Sequence, residues 1–541
     1  MPDVTVLFGT QTALNRPLPP NTVLIVPSSD SWNDFGLHSR VDVRMRLGED
    51  AKEHHAFSFI GFLTNTPSEP NGISPLNDLL KGAEQLTIPA TDSHRFFTML
   101  PDMESYRAIV RAFGSQHAFV ALKAMKDLVA LRATAPRPNW LDLATRTRVF
   151  QVSFMRNTES YFAFKNAASV LRELEFEETR ELSRSLRITF ALAGRPDSHD
   201  LTFDFDHDGT LPKRIAVVIG KNGVGKSQTL GRIAKAALGG HKSLRDGDSG
   251  ERPLFNRVLA FAPSNEAHSV FPTEQWQRPR VRYYRFSLNR SRDRSRNTHH
   301  VTDKIVQLAR SVDRIGKRSR WEIFLSAIRA IDRWEELSLP NRDKPAEPLA
   351  LESLPRASEQ RLLERLSSVH IDKEPIRVLD GSSYPLSSGE ISFLRFAAQA
   401  SLHIDNGSLL LLDEPETHLH PNFVSQFAAL LDRLLDQTGS AAIIATHSAY
   451  FVREVFQSQV LVLRQDATGR VSSERPRLRT FGADVGAISH FVFGEDEPSR
   501  MASDVERRLK TAFNTWQELY DVYKDELSHE MLGALRDAME T

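Results

Sequence analysis

Cysteine is absent from the chain. No disulfide framework, thiolate metal site or cysteine nucleophile is therefore available, and a reducing compartment, the cytoplasm, is expected. Long apolar runs are absent as well. None approaches the roughly 18 residues of a membrane-spanning helix, so no membrane span is expected. That excludes a transporter carrying its own span, but not a soluble subunit of one. The opening segment, MPDVTVLFGTQTALNRPLPP, lacks the basic start and apolar stretch of a signal peptide. Net charge is missing too, because Lys+Arg and Asp+Glu each count 69. Affinity for nucleic acid must then come from a local patch, not from bulk charge. Internal repeats and low-complexity tracts are also lacking.

What is present is an ordinary globular composition. Of 541 residues, 40% are apolar and 26% charged. A chain of this length is sized for about two to four domains.

Residues 1–140 read as a mixed α/β region. Strand-like runs fall at 4–8, 22–26 and 57–63, and helical patterns at 104–113 and 118–133. The segment ATAPRPNW, 133–140, reads as a boundary because its prolines cannot continue a helix. Beyond 145 the pattern gives a strand at 149–154, a helix at 167–175 and alternating strands at 187–192 and 201–205. Ile215–Ile219 is a continuous apolar run, the mark of a buried parallel strand. A helix over 228–238 stops at Gly239-Gly240. Further strands are expected at 258–261, 409–412, 442–445 and 460–463, with a helix at 424–435. Alternating strands and helices predict an α/β fold with a mostly parallel core sheet. The expected divisions are an N-terminal α/β region (1–140), a first core part (145–275), a basic then helical insertion (276–375), a second core part (376–495) and a helical tail (496–541).

Gly220-Lys-Asn-Gly-Val-Gly-Lys226-Ser227 matches G-x-x-x-x-G-K-[ST] in full, after a strand and before a helix. Glycines let backbone N–H groups curl round phosphates, and the helix N-terminus adds positive charge. Asn222, Gly223, Val224, Gly225, Lys226, Ser227 and Gln228 are the expected nucleotide contacts. Lys226 is expected to reach the β- and γ-phosphates, and the Ser227 hydroxyl to ligate Mg²⁺. Downstream, the apolar run Leu409–Leu412 ends in Asp413-Glu414. Asp413 is the candidate for holding Mg²⁺ and Glu414 the candidate general base.

Two further motifs narrow the class. Leu386-Ser387-Ser388-Gly389-Glu390 resembles the signature of ABC-type ATPases, commonly Leu-Ser-Gly-Gly-Gln. Ile444-Ala-Thr-His447-Ser448 resembles their switch-histidine loop. The order of phosphate loop, signature, acid pair and histidine is that of the ABC type. This resemblance implies a P-loop NTPase head with an antiparallel lobe, binding ATP and Mg²⁺. It implies that two heads sandwich two nucleotides, so a homodimer or higher oligomer is expected. Ser387 and Gly389, with Ser388 between them, would then serve the nucleotide held by the other copy. His447 would contact the γ-phosphate and the attacking water. Asn265 is a weak stand-in for the family's glutamine loop.

Glu414-Pro-Glu-Thr-His-Leu-His420-Pro421 is similar to the ATPases of recombination, repair and phage defence, the RecF-like and overcoming-lysogenisation-defect families among them. The segments 261–272 and 479–494 resemble the ATPase subunit of Septu-type and retron-associated antiphage systems. That resemblance implies a separate partner chain, an HNH nuclease. No nuclease centre is expected in this chain. Rival readings are a RecF-like repair ATPase, a transporter head, and an ATP-bound scaffold that does not hydrolyse.

Residues 276–320 hold fourteen Lys/Arg against three acids, with Tyr283, Tyr284 and Phe286 interleaved. Two readings stand. Arginines and aromatics can bind DNA or RNA, or a nuclease partner. Alternatively the aromatics face inward on a core strand and the arginines are solvated. The tail over 500–539 reads as a docking or dimer helix.

Overall fold

The computed structural model describes residues 3–30, 36–48, 52–63, 72–82, 85–172, 182–191, 198–207, 209–263, 267–276, 279–288, 300–356, 359–417, 419–466, 468–493 and 500–540. Asn265, Arg278 and the basic run 289–299 lie outside them.

The N-terminal region is built on a six-stranded sheet. Thr5–Gly9 and Thr22–Pro27 run parallel, and the remaining neighbours pair antiparallel. The sequence reading missed the strand Arg40–Leu47 and the first five residues of Lys52–Phe62. Their alternating Arg, Asp and His obscured the apolar face. Arg44 is held across this hairpin by Glu53 at 2.6 Å.

Met103–Ala124 breaks at Gly114, whose φ of 76° is helix-incompatible. The chain restarts at Leu128–Arg132, capped by buried Asp127, which accepts from the amides of Val129 and Ala130. The segment read as a strand over 149–154 is instead a wide helical turn, Phe150–Phe154, closed by the Met155 amide on the Phe150 carbonyl at 2.9 Å. Its apolar residues fit either period, but a turn places Phe150 and Phe154 together, 5.9 Å apart, against the sheet. The helix expected over 167–175 is a short 3₁₀ stretch, Ala167–Arg172, and 173–175 lies outside the described residues. One core extends from Val6 to Leu171. The proline-containing segment near 140 therefore interrupts a helix without ending the packing unit.

The second unit is a seven-stranded sheet. In spatial order it runs Arg282–Ser287, Arg257–Ala262, Leu409–Asp413, Ala441–Thr446, Ile215–Gly220, Val460–Gln465 and Val471–Glu474. Every neighbouring pair is parallel except the last. Its central strands are buried on both faces, which is why they read as unbroken apolar runs. Lys226–Gly239 packs on one face, and Ser388–His403 and Pro421–Thr438 on the other. A three-stranded antiparallel sheet, with Ser185–Ala191 at its centre, forms the adjoining lobe. This is the α/β architecture with a mostly parallel core sheet that the sequence predicts.

The insertion is not only basic and helical. After the helices Val301–Arg310 and Arg320–Ile328 comes a four-stranded antiparallel sheet. Its last strand, Ser382–Pro385, delivers the chain to the signature. The tail forms three helices, Arg500–Ala512, Trp516–Tyr523 and His529–Glu540. They share a small core of Leu509, Leu519, Leu532 and Leu535, so the apolar spacing serves a local bundle.

Candidate nucleotide site

The register sets the site. Ile219 pairs with Thr446, and Asp413 with Ala445. Three strands thus end together at the carboxyl edge, where open α/β sheets bind ligands. The strand Ala441–Thr446 lies between the phosphate-loop strand and the acid strand.

The phosphate loop follows at once. Gly220 leaves no room for a side chain, because a Cβ would lie 2.3 Å from the Leu463 carbonyl oxygen. Gly223 and Gly225 take φ of 82° and 98°, conformations that favour glycine. Asn222, Gly223 and Gln228 are exposed, Val224 is buried, and Gly225 and Ser227 are half-buried. Lys226 is buried, and its Nζ donates to the carbonyls of Gly220 at 2.9 Å and Lys221 at 3.1 Å. Burial lowers the Lys226 pKa, while the charges of Glu414, Glu416 and Asp413 oppose that shift. The lysine and the acids, far apart in sequence, therefore share one field.

Asp413 is buried at its strand end. Glu414 follows in the left-handed region, φ 42°, with its amide on the Ala445 carbonyl at 2.8 Å. His447 is half-exposed, its Nδ1 lying 3.4 Å from Glu414 Oε1 and 3.6 Å from Glu416 Oε1. Sequence reasoning quoted Glu416 within a motif but gave it no role. The structure buries it, and its carboxylate accepts from the Thr446 hydroxyl and from the His447 amide at 3.1 Å. Burial pushes its pKa up, against those hydrogen bonds. The second acid in E-P-E was the available signal.

The signature is placed differently. Ser387 and Ser388 are exposed and Gly389 is buried. Ser387 caps the helix Ser388–His403 in a reciprocal box with Glu390, whose carboxylate also takes Arg377 at 2.6 Å. Burial works against the Glu390 charge, but Arg377 and Ser387 outweigh it and hold the carboxyl below its usual range. Glu390 therefore serves as a capping and ion-pair residue. Phe396 packs on Phe261 near the carboxyl edge, whereas the His403 carbonyl takes Arg257 at that strand's start. The helix thus runs antiparallel to the strands. At 1.5 Å per residue its first turn projects roughly 10 Å past the level of Phe396, on the phosphate-loop side.

The basic stretch offers no stacking surface at its aromatics. Arg282–Ser287 is an edge strand of the core sheet. Tyr283 is buried, with its hydroxyl on the Pro272 carbonyl. Phe286 stacks on Phe261 at 5.0 Å, and Tyr284 lies 4.6 Å from His403. Arg282 pairs with Glu159 at 2.9 Å. Packing of these rings favours the core-edge reading of Tyr283, Tyr284 and Phe286, while the basic run 289–299 lies outside the described residues.

Among the described residues no three His, Asp or Glu side chains form a metal cage. Mg²⁺ bound with nucleotide keeps several waters and needs only one or two protein oxygens. The Ser227 hydroxyl and the Asp413 carboxylate fit that donor set. No described helix is long and apolar enough to cross a membrane.

Parts of the chain are similar to known proteins. Residues 215–453 match a family described as "AAA domain, putative AbiEii toxin, Type IV TA system". The chain is 26% identical over 389 residues to protein ea59 of Escherichia phage lambda, covering 69% of each. It is 39% identical over 70 residues to UvrABC system protein A of Chlamydia muridarum, 13% of this chain and 4% of that protein. Among solved structures, cbiO1 of Clostridium perfringens, part of an ABC transporter complex, aligns with 61% of this chain and 98% of its own, at TM-score 0.28 and 16% identity. The family match spans the phosphate loop, the signature, the acid pair and the histidine. Together with the phosphate-loop motif and the sheet order, it supports a P-loop ATPase domain over residues 215–453.

Proposed function

We propose that the protein binds and slowly hydrolyses ATP with Mg²⁺ across a homodimer, and acts as a sensor and regulator in antiphage defence that controls a separate effector nuclease. The observation that carries the ATPase part is the convergence of Lys226, Asp413, Glu414 and His447 at one sheet edge. When bound, Mg²⁺ draws charge from the phosphate oxygens. Backbone N–H groups of residues 222–226 and the Lys226 ammonium hold the phosphates. Glu414 takes a proton from the attacking water. His447, steadied by Glu414 and Glu416, orients that water. Ser387, exposed at a helix start, and the buried Gly389 beside it serve the nucleotide of the second copy. The defence role rests on the likeness to Septu-type and retron-associated ATPases. The phage relative and the toxin–antitoxin wording of the matched family are in keeping with it.

Phosphate release from the purified protein tests the chemistry. Glu414→Gln should lose turnover by about 10²–10⁴-fold while retaining ATP. Lys226→Ala should weaken ATP binding about tenfold or more. Parent-like turnover in Glu414→Gln removes the general-base role, and unchanged affinity in Lys226→Ala removes the phosphate role. An affinity pull-down of Glu414→Gln with ATP from the native host tests the partner. A stoichiometric nuclease chain supports the defence reading. A dimer retaining DNA alone favours a RecF-like repair ATPase.

A further inference from the structure

A cavity of about 370 Å³ opens at the far end of the phosphate-loop helix. That helix, Lys226–Gly239, has 14 residues. Its ends stand roughly 20 Å apart at 1.5 Å per residue, so the cavity is separate from the nucleotide site. Its walls come from three places: Thr158 of the N-terminal region, the helix end at Ala236–Gly240, and the segment 241–255. The inner wall is apolar, with Leu244, Pro253 and Phe255 all buried. The rim carries Lys242, Arg245 and Arg252 against one carboxylate, Glu251.

Arg252 is held from behind. It donates to the carbonyls of Arg156 at 3.2 Å and Arg280 at 3.0 Å and to the Thr158 hydroxyl. A guanidinium has five N–H donors, and these bonds use three. Arg280 stands beside it, bonded to the same Arg156 carbonyl at 3.0 Å and packed on Gly240. Burial and the Arg280 charge lower the Arg252 pKa to about 10, which leaves it charged at neutral pH. Among the described residues, the ionisable groups acting on it are Arg280 and Tyr161, neither of them a carboxylate. Two neighbouring guanidiniums with only Glu251 as an acid on the rim among the described residues, beside an apolar wall, define a charge that a ligand would complete. Carboxylates and phosphates both match the guanidinium fork. A phosphate carries more charge and more acceptor oxygens, which suits three rim cations better. The volume lies in the range of small-molecule pockets, about 300–1,000 Å³.

We propose that this cavity binds a small molecule carrying a phosphate on an apolar or aromatic body. The inference is independent of ATP hydrolysis.

Calorimetric titration of the full chain with 1-naphthyl phosphate tests it, in a Lys226→Ala background so that the phosphate loop contributes little. Saturable binding is expected, about tenfold tighter than for inorganic phosphate, because the ring meets the apolar wall. Arg252→Gln should weaken it about tenfold or more, and the exposed Arg245→Gln about threefold. Absence of saturable binding up to about 10 mM overturns the proposal, as does equal affinity in the parent and both variants. A melting curve checks that Arg252→Gln is folded. Should it not be, Arg245→Gln and Lys242→Gln decide the matter alone, since both positions are exposed.

Discussion

Glu416 sits three residues beyond the acid that ends its strand, buried among hydrogen-bond donors of the switch loop. Its carboxylate joins the Thr446 hydroxyl and the His447 amide, so it fixes the backbone from which His447 projects. It acts through His447 and is a positioning residue. Glu416→Ala should leave ATP binding near that of the parent and lower kcat on the order of 10–100-fold, since displaced catalytic groups cost that much. Glu416→Gln keeps an acceptor oxygen and should recover most of the rate. Separate measurement of KM and kcat checks both. A variant that loses ATP affinity instead would make Glu416 part of the nucleotide cradle. His447 was legible from its loop motif, whereas Glu416 was not, because a second acid after a strand has many ordinary uses.

Ser388–His403 runs between the two edges of the core sheet. Its start presents the signature and its end is locked against the edge strand, where His403 lies against Tyr284 and Phe286. Burial, with Arg320, Lys304 and Arg257 nearby, lowers the His403 pKa from 6.5 to about 4. The unfolded chain protonates this group near pH 6.5, while the folded one resists down to about pH 4. Stability therefore falls as pH drops between those values, by about 3 kcal/mol if fully expressed. His403→Gln should flatten that part of the profile. Melting temperatures at pH 7 and pH 5 for parent and variant measure it, and an equal drop in both would remove His403 as a source of acid lability. The edge strand itself was read with two possibilities open. Alternation of Arg and aromatic residues fits a groove for bases or a core edge equally well. Only its parallel pairing with Arg257–Ala262 distinguishes them.

At the scale of the whole molecule, one buried carboxylate ties three parts of the chain. Asp405 meets Arg107 of the N-terminal region at 2.8 Å and Arg257 of the core sheet at 2.7 Å, and Arg320 of the insertion adds its charge nearby. Burial alone would raise the Asp405 pKa, but these arginines overcome it and hold the carboxyl well below the usual range. Thr158 adds a backbone bond to Arg280 at 2.8 Å. These ties lie at the amino edge of the core sheet, and the nucleotide site at its carboxyl edge. The five residues of Leu409–Asp413 separate them, about 16 Å of strand. Asp405→Ala would leave buried guanidiniums without their acid and should cost about 3–5 kcal/mol. Denaturation of the full chain, monitored together with limited proteolysis, should show early release of the N-terminal region. Unchanged stability would mean that carbonyl oxygens suffice as partners for these arginines.

The motifs of the phosphate loop, the acid pair and the histidine were legible in sequence, because each needs particular residue types at fixed local spacing. The buried parallel strands followed too, since burial on both faces forces unbroken apolar runs. The tertiary structure alone decided what depends on distant partners. Phe150–Phe154 became a helical turn because the N-terminal sheet needed both rings on one side. Glu416 found the switch loop, and Asp405 its arginines, across gaps that no local pattern encodes. Hydrogen bonds and ion pairs between distant segments leave no periodic trace in the chain, whereas backbone geometry and one-sided burial do.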